Sequence, residues 1–206
     1  MTTVQHYIHG ELREELRKEA TMPLYNPATG QEIGSVPIAS DETRRDVLES
    51  ATAGAAVWAA SSLSQRSAVL FKFRELLAQS TDELAALITR EQGKTLADAR
   101  GELARGLENV EFACGLIEHL KGDFSSGVAD GVDVHSFREP VGIVLAVTPF
   151  NFPAMVPLWM LANAVAAGNA VIVKPSERDP SAAVRLAELC SAAGLPPGVV
   201  NVVHGD

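Results

Sequence analysis

The hydrophobic pattern of this chain changes character twice. Over residues 1–40 it is short and turn-rich, with NPATG between the extended stretches HYIHG and EIGSVP. That pattern predicts strands laid on the surface of something larger. Over residues 41–120 apolar residues recur every three or four positions, as on one face of a helix. Val47, Leu48, Ala51, Ala55 and Trp58 share one such face, and Val69, Leu70, Phe73, Leu76 and Leu77 share the next. Ser80 and Glu83 stand in capping-box spacing and open a third helix that stops near Gly93. A fourth starts at Thr95, has Asp98 in its first turn, and carries the stripe Leu96, Leu103, Leu107, Val110, Cys114 and Ile117.

The second half reads differently. Within residues 121–140, DVHSFRE alternates like a half-exposed strand. VGIVLAV is continuous and apolar, as in a strand covered on both faces. A helix follows from Pro153 to Ala167, closed by Gly168, and AVIVK is a second buried strand. Asp179 and Pro180 stand where an N-cap and a first helical residue belong, and Gly194 closes that helix. VVNVV is a third strand. The order βαβαβ is half of a doubly wound parallel sheet, so the fold class is α/β. The third strand needs neighbours, yet the sequence stops three residues later, which suggests a segment of a larger fold.

Charge and cysteine content narrow the function classes. A net charge of -9 disfavours nucleic acid and anionic membrane surfaces as partners. The longest apolar run, Val141 to Val147, is far too short to span a bilayer. Two cysteines make no disulfide framework, which points to a reducing compartment, the cytoplasm.

Several motifs have both a chemical and a structural reading. GKT at Gly93–Thr95 ends like a P-loop, but Ile88 stands where the earlier glycine is needed, so a helix end is the better reading. No G-x-G-x-x-G follows the first buried strand. Its turn, TPFNFP, contains Pro149 and Pro153, which excludes a standard pyrophosphate cradle there. KPSE, Lys174 to Glu177, follows the second strand; it is either a ribose-binding pair at a strand end or a solvated turn organised by Ser176. Arg105, flanked by Gly101 and Gly106, is either a carboxylate clamp or a surface ion pair with Glu102 or Glu108. Cys114 and Cys190 lie on apolar helix faces and read as core residues, and the five histidines show no metal-ligand spacing. Asn151 is either an N-cap for the helix at Pro153 or a side-chain donor aimed at an oxyanion.

Taken together and in order, NPATG, ITREQGK, TPFNFP, KPSE and GLPPGVVNVV resemble the aldehyde dehydrogenase superfamily over nearly the whole chain. ENVEFACG and PFNFPAMVPLWM resemble more particularly its CoA-acylating methylmalonate-semialdehyde dehydrogenase branch, where phenylalanine is typical at the position of Phe150. The resemblance implies the N-terminal part of that fold, with a helical segment before a Rossmann-like βαβαβ sheet. It implies NAD as cofactor, coenzyme A as co-substrate, a small aldehyde as substrate, and a dimer or tetramer. By the same resemblance Asn151 is the oxyanion donor, Thr148 and Phe150 line the cofactor cleft, and Lys174 and Glu177 hold the adenosine ribose with Arg178 close by. Arg105 then binds the substrate carboxylate. The family's nucleophilic cysteine and Gly-Ser cofactor motif stand beyond the position where this sequence ends, so the chain alone is expected to be inactive. A hydrolysing aldehyde dehydrogenase and a non-catalytic nucleotide-binding module are the competing expectations.

Overall fold

The computed structural model describes residues 2–15 and 20–206. The chain begins with strands β1 (Thr2–Thr3), β2 (His6–Ile8), β3 (Glu11–Arg13), β4 (Thr21–Asn26) and β5 (Gln31–Pro37). Four helices follow: α1 (Asp41–Ala59), α2 (Leu63–Gln79), α3 (Thr81–Gln92) and α4 (Leu96–Cys114). A hairpin of β6 (Phe124–Ala129) and β7 (Val132–His135) leads into β8 (Ile143–Val147), α5 (Met155–Ala166), β9 (Ala170–Lys174), α6 (Ser181–Ala193) and β10 (Val200–Val202).

The βαβαβ unit forms as the apolar pattern predicts, with β8, β9 and β10 parallel. The sheet does not end at β10. Its order is β3-β2-β10-β9-β8, and Val202 pairs antiparallel with Tyr7. The expectation that the first strands lie on the surface therefore fails for β2. His6, Tyr7 and Ile8 are all buried, the mark of a strand covered on both faces. The chain's own N-terminal hairpin covers the last strand, which leaves β3 and β8 as the edges of the sheet; in β8 Leu145 is 63% and Val147 58% exposed.

Helices α1 to α6 bury their apolar stripes in a core that includes Trp58, Leu70, Phe73, Leu103, Leu158 and Leu186. The Trp58 indole N–H donates to the Val165 carbonyl at 2.8 Å, tying α1 to the end of α5. Three stripe residues fall outside the core: Leu48 and Leu96 are exposed, and Ile117 lies beyond the end of α4. The capping box expected at Ser80 does not form. Ser80 also closes α2, its N–H bonded to the carbonyls of Leu76 and Leu77, and its hydroxyl makes no cap bond. The box belongs instead to Ser62 and Gln65 at the start of α2. Gly93 ends α3 at φ 89, as a left-handed helix stop. The strand in DVHSFRE covers only part of that stretch, and β7 pairs with β6 in a separate, fully exposed hairpin.

Candidate functional site

The turns after β8 and β9 lie at the carboxyl ends of parallel strands, where sheets of this kind bind ligands. Both lead into helices, and neither helix is capped by its own flanking sequence. Asn151 caps nothing: α5 begins at Met155, and the N–H groups of Ala154 and Met155 donate to Glu102 Oε1 from α4, at 2.8 and 3.1 Å. Asp179 caps nothing either: the Ser181 N–H donates to Glu91 Oε2 from α3 at 3.1 Å. Each helix thus receives a distant carboxylate at its positive end. Local cap signals failed at both places because the partner comes from tertiary packing.

Freed from capping, the Asn151 side chain is exposed and its amide makes no hydrogen bond among the described residues. Its backbone is held firmly: Lys94 Nζ donates to the Asn151 carbonyl at 2.9 Å and pairs with Glu102 Oε2 at 2.5 Å. The Lys94 ammonium also sits 4.5 Å from the Phe152 ring centre. Thr148 is buried, its N–H donating to the Lys174 carbonyl at 3.1 Å, which joins the ends of β8 and β9.

Phe150, Glu177 and Arg178 share a cleft of about 430 Å³ with Tyr25, Glu91 and Asp179. The Arg178 guanidinium lies 4.8 Å from the Phe150 ring centre and 3.7 Å from Glu177 Oε1. Ser176 organises the turn, its hydroxyl accepting from the Arg178 N–H at 3.1 Å. Glu177 is therefore placed to accept from a hydroxyl in the cleft, with cations at Arg178 and Lys174 on either side in sequence. Thr148, Asn151 and Lys174 adjoin the cleft along the same two turns but are not among its lining residues. Arg105 is on the open face of α4, 70% exposed, 3.7 Å from Glu108. Of its two flanking glycines, Gly106 is needed for packing: a Cβ there would meet Leu158 Cδ1 at 2.4 Å. Around Gly101 a Cβ would meet nothing within 4 Å.

Sequence reasoning missed Asp179 as a charged group. It is 1% exposed, and neither carboxylate oxygen has a hydrogen-bond partner among the described residues. Burial pushes its pKa up to about 8; Glu91, Glu102 and Glu177 add to this and Lys94 opposes it. Burial raises Glu91 as well. An Asp-Pro pair before a helix reads as a cap, so nothing local in the sequence distinguishes this residue. Both cysteines are buried and unpaired, and burial raises both thiols, so neither offers a thiolate. Among the described residues no cluster of histidine, cysteine and acidic side chains could hold a metal ion.

The sequence pattern of the aldehyde dehydrogenase family matches residues 15–206. Malonate-semialdehyde dehydrogenase of Pseudomonas aeruginosa is 48% identical over 206 residues, covering 100% of this chain and 41% of that protein. The mitochondrial, acylating methylmalonate-semialdehyde dehydrogenase of Arabidopsis thaliana is 45% identical over 191 residues, 93% of this chain and 32% of that protein. Among solved structures, one described as methylmalonate-semialdehyde dehydrogenase from Sinorhizobium meliloti 1021, in complex with NAD, superposes with a TM-score of 0.97. It is 47% identical, and the alignment covers 100% of this chain and 42% of that one. The chain thus spans about two fifths of the length of these bacterial relatives.

Proposed function

This chain belongs to the aldehyde dehydrogenase family, and from that premise we propose that it contributes the oxyanion donor and part of the NAD site to the CoA-acylating oxidation of malonate or methylmalonate semialdehyde. The observation that carries this reading is the exposed, unpartnered Asn151 amide on the turn beside the Phe150–Glu177–Arg178 cleft. In this reading the amide N–H₂ donates to the aldehyde oxygen as it gains negative charge under attack by a thiolate. A donor fixed in advance at that point is worth about 10²–10³-fold in rate. NAD, when bound, accepts the hydride.

The other residues bind and orient. Glu177 accepts from the adenosine ribose hydroxyls, Lys174 donates to the same sugar, and Arg178 stays close by. A carboxylate at that position favours NAD over NADP by repelling a 2′-phosphate, and Lys174 and Arg178 moderate the preference. Phe150 lines the cleft, and the buried Thr148 backs the turn that carries it. Arg105 reaches the substrate carboxylate once its weak pairing with Glu108 is exchanged. Since both thiols of this chain are buried, the 206 residues alone turn over nothing. Assembly as a dimer or tetramer belongs to the same reading, through the exposed β6–β7 hairpin with Phe124, Val128, Val132 and Val134. So does a cytoplasmic location, on the two unpaired cysteines.

The test is NADH formation by the native gene product that carries these residues, given malonate or methylmalonate semialdehyde with and without coenzyme A. CoA-dependent NADH and an acyl-CoA product support the reading. A free acid formed at the same rate without coenzyme A points to the hydrolysing branch instead. Binding of NAD with no NADH from any aldehyde points to a non-catalytic module.

A further inference from the structure

We propose that Lys94 and Glu102 form a buried positioning device that fixes the direction of the Asn151 amide; the inference rests on the oxyanion role given to Asn151 above. The turn from Pro149 to Pro153 has few internal restraints. Both prolines lack an N–H, and Asn151 takes part in no sheet or helix ladder among the described residues. Behind it, Thr148 is bonded to β9; ahead of it, the Val156 N–H donates to the Phe152 carbonyl at 3.3 Å. Between these points the Lys94 ammonium ties down the Asn151 carbonyl from outside the turn.

That ammonium is itself fixed. The side chain of Lys94 is 12% exposed and that of Glu102 1%, with 2.5 Å between the charged atoms. Glu102 spends its other oxygen on the N–H groups of Ala154 and Met155. One carboxylate therefore grips the chain on the helix side of the turn. Through Lys94 it also grips the carbonyl bonded directly to the Asn151 Cα. The Phe152 ring beneath the ammonium excludes water from one side. Displacement of the Asn151 backbone would break the Lys94 bond, and the position of that backbone sets the point from which the side chain projects. A displacement of about 1 Å at a reacting group can cost about a hundredfold in rate.

Both are positioning residues, since neither lies on the reacting atoms, so a purely structural role must be distinguished. Lys94→Met alone strands a buried carboxylate and risks unfolding. Lys94→Met/Glu102→Gln removes the tether and both charges but leaves a side-chain oxygen for the Ala154 and Met155 N–H groups. In the ¹⁵N-labelled 206-residue chain, this double variant should retain slow exchange at those two amides. The Asn151 side-chain and Phe152 backbone resonances should shift and broaden. In the native gene product it should lower kcat by about ten- to a hundredfold with the KM for NAD within about twofold. Added to Asn151→Ala, it should cause no further loss of kcat.

Unchanged Asn151 resonances, or kcat losses that multiply in the Asn151→Ala background, would overturn the positioning role while leaving the oxyanion role standing. If Asn151→Ala itself leaves kcat unchanged, the oxyanion reading fails, and this inference with it.

Discussion

The imidazole rings of His6 and His204 stack with centroids 5.1 Å apart and planes 24° from parallel, joining β2 to the residues after β10. Their hydrogen bonds assign the protons. The His204 N–H donates to His6 Nδ1 at 3.1 Å, so the His6 proton is on Nε2, facing Glu15 Oε2 at 3.3 Å. His204 Nε2 donates to the Gln5 carbonyl at 2.8 Å, which leaves its Nδ1 buried and without a partner among the described residues. Both rings are held neutral, and a second proton on either has no acceptor.

Acid should loosen this junction. Burial lowers both pKa values, His204 to about 4, with His6 and Lys174 adding to the fall and the Gln5 carbonyl opposing it. Glu15 opposes burial at His6. With native pKa values below the unfolded ones, the unfolded chain binds more protons across that interval. Stability is complete above the unfolded pKa of about 6.5 and falls as pH drops toward 4. The expected loss from His204 is roughly 3 kcal/mol, read as a lower urea midpoint at about pH 4.5 than at about pH 7.5. His204→Phe keeps the stack and should flatten this dependence. An equally steep profile in that variant would assign it to other groups.

Asp179 should act with the opposite sign. Its carboxyl is raised from 3.8 to about 8, so the folded state prefers the proton. Its contribution is fully present below the unfolded pKa and is lost as pH rises through the interval to about 8. Asp179→Asn removes the ionisation and should raise the urea midpoint at about pH 8.5 far more than at about pH 5. An equal change at both values would show that the native carboxyl titrates normally.

The two glycines of α4 should respond to alanine in opposite directions. Gly101→Ala meets open space and gains helix propensity, so a stabilisation of about 1 kcal/mol is expected. Gly106→Ala drives a methyl into Leu158, a fully buried residue with no room to retreat, and a net destabilisation of about 1–3 kcal/mol should result. Thermal or urea unfolding of the two variants decides it, and a stabilised Gly106→Ala would mean that α5 shifts easily.

Hydrophobic period and the glycine stops at Gly93 and Gly194 made the helices legible, because burial of one face leaves its spacing in the sequence. Val47, Ala51 and Trp58 were readable on that ground; β8 and β9 were readable as apolar runs, although three of the five residues of β8 are exposed rather than covered on both faces. What stayed hidden depends on partners far apart in the chain. Nothing near His6 says that it stacks on His204, nothing near Tyr7 says that it pairs with Val202, and nothing near Met155 says that Glu102 caps its helix. At the site, the family motifs named Asn151, Glu177 and Arg178. In the sequence Lys94 reads as part of a helix end, and nothing near it points to the Asn151 carbonyl 57 positions away.

Thiol chemistry should be silent in the native chain. Cys190 is fully buried and Cys114 nearly so, and burial raises both thiols above their ordinary range. A chromogenic disulfide reagent near neutral pH should release no chromophore from the folded 206-residue chain and two equivalents after denaturation. Rapid release of one equivalent before unfolding would reveal an accessible thiol and reopen the question of a nucleophile in this chain.

Arg105 tests the substrate assignment most directly. Its pairing with Glu108 at 3.7 Å is between side chains 70% and 66% exposed, where solvent screening leaves an ion pair worth little. The guanidinium is thus available to a better partner. A carboxylate held by a charged hydrogen bond contributes about 1.5–3 kcal/mol, or about ten- to a hundredfold in affinity. Arg105→Ala in the native gene product should therefore raise the KM for malonate semialdehyde by about that factor. The constants for an uncharged aldehyde of the same chain length should stay within about twofold, since uniform loss of ground-state and transition-state binding reports only on the group that was bound. Parallel losses on both aldehydes would mean that Arg105 supports the fold of α4, and the carboxylate clamp would have to be sought elsewhere.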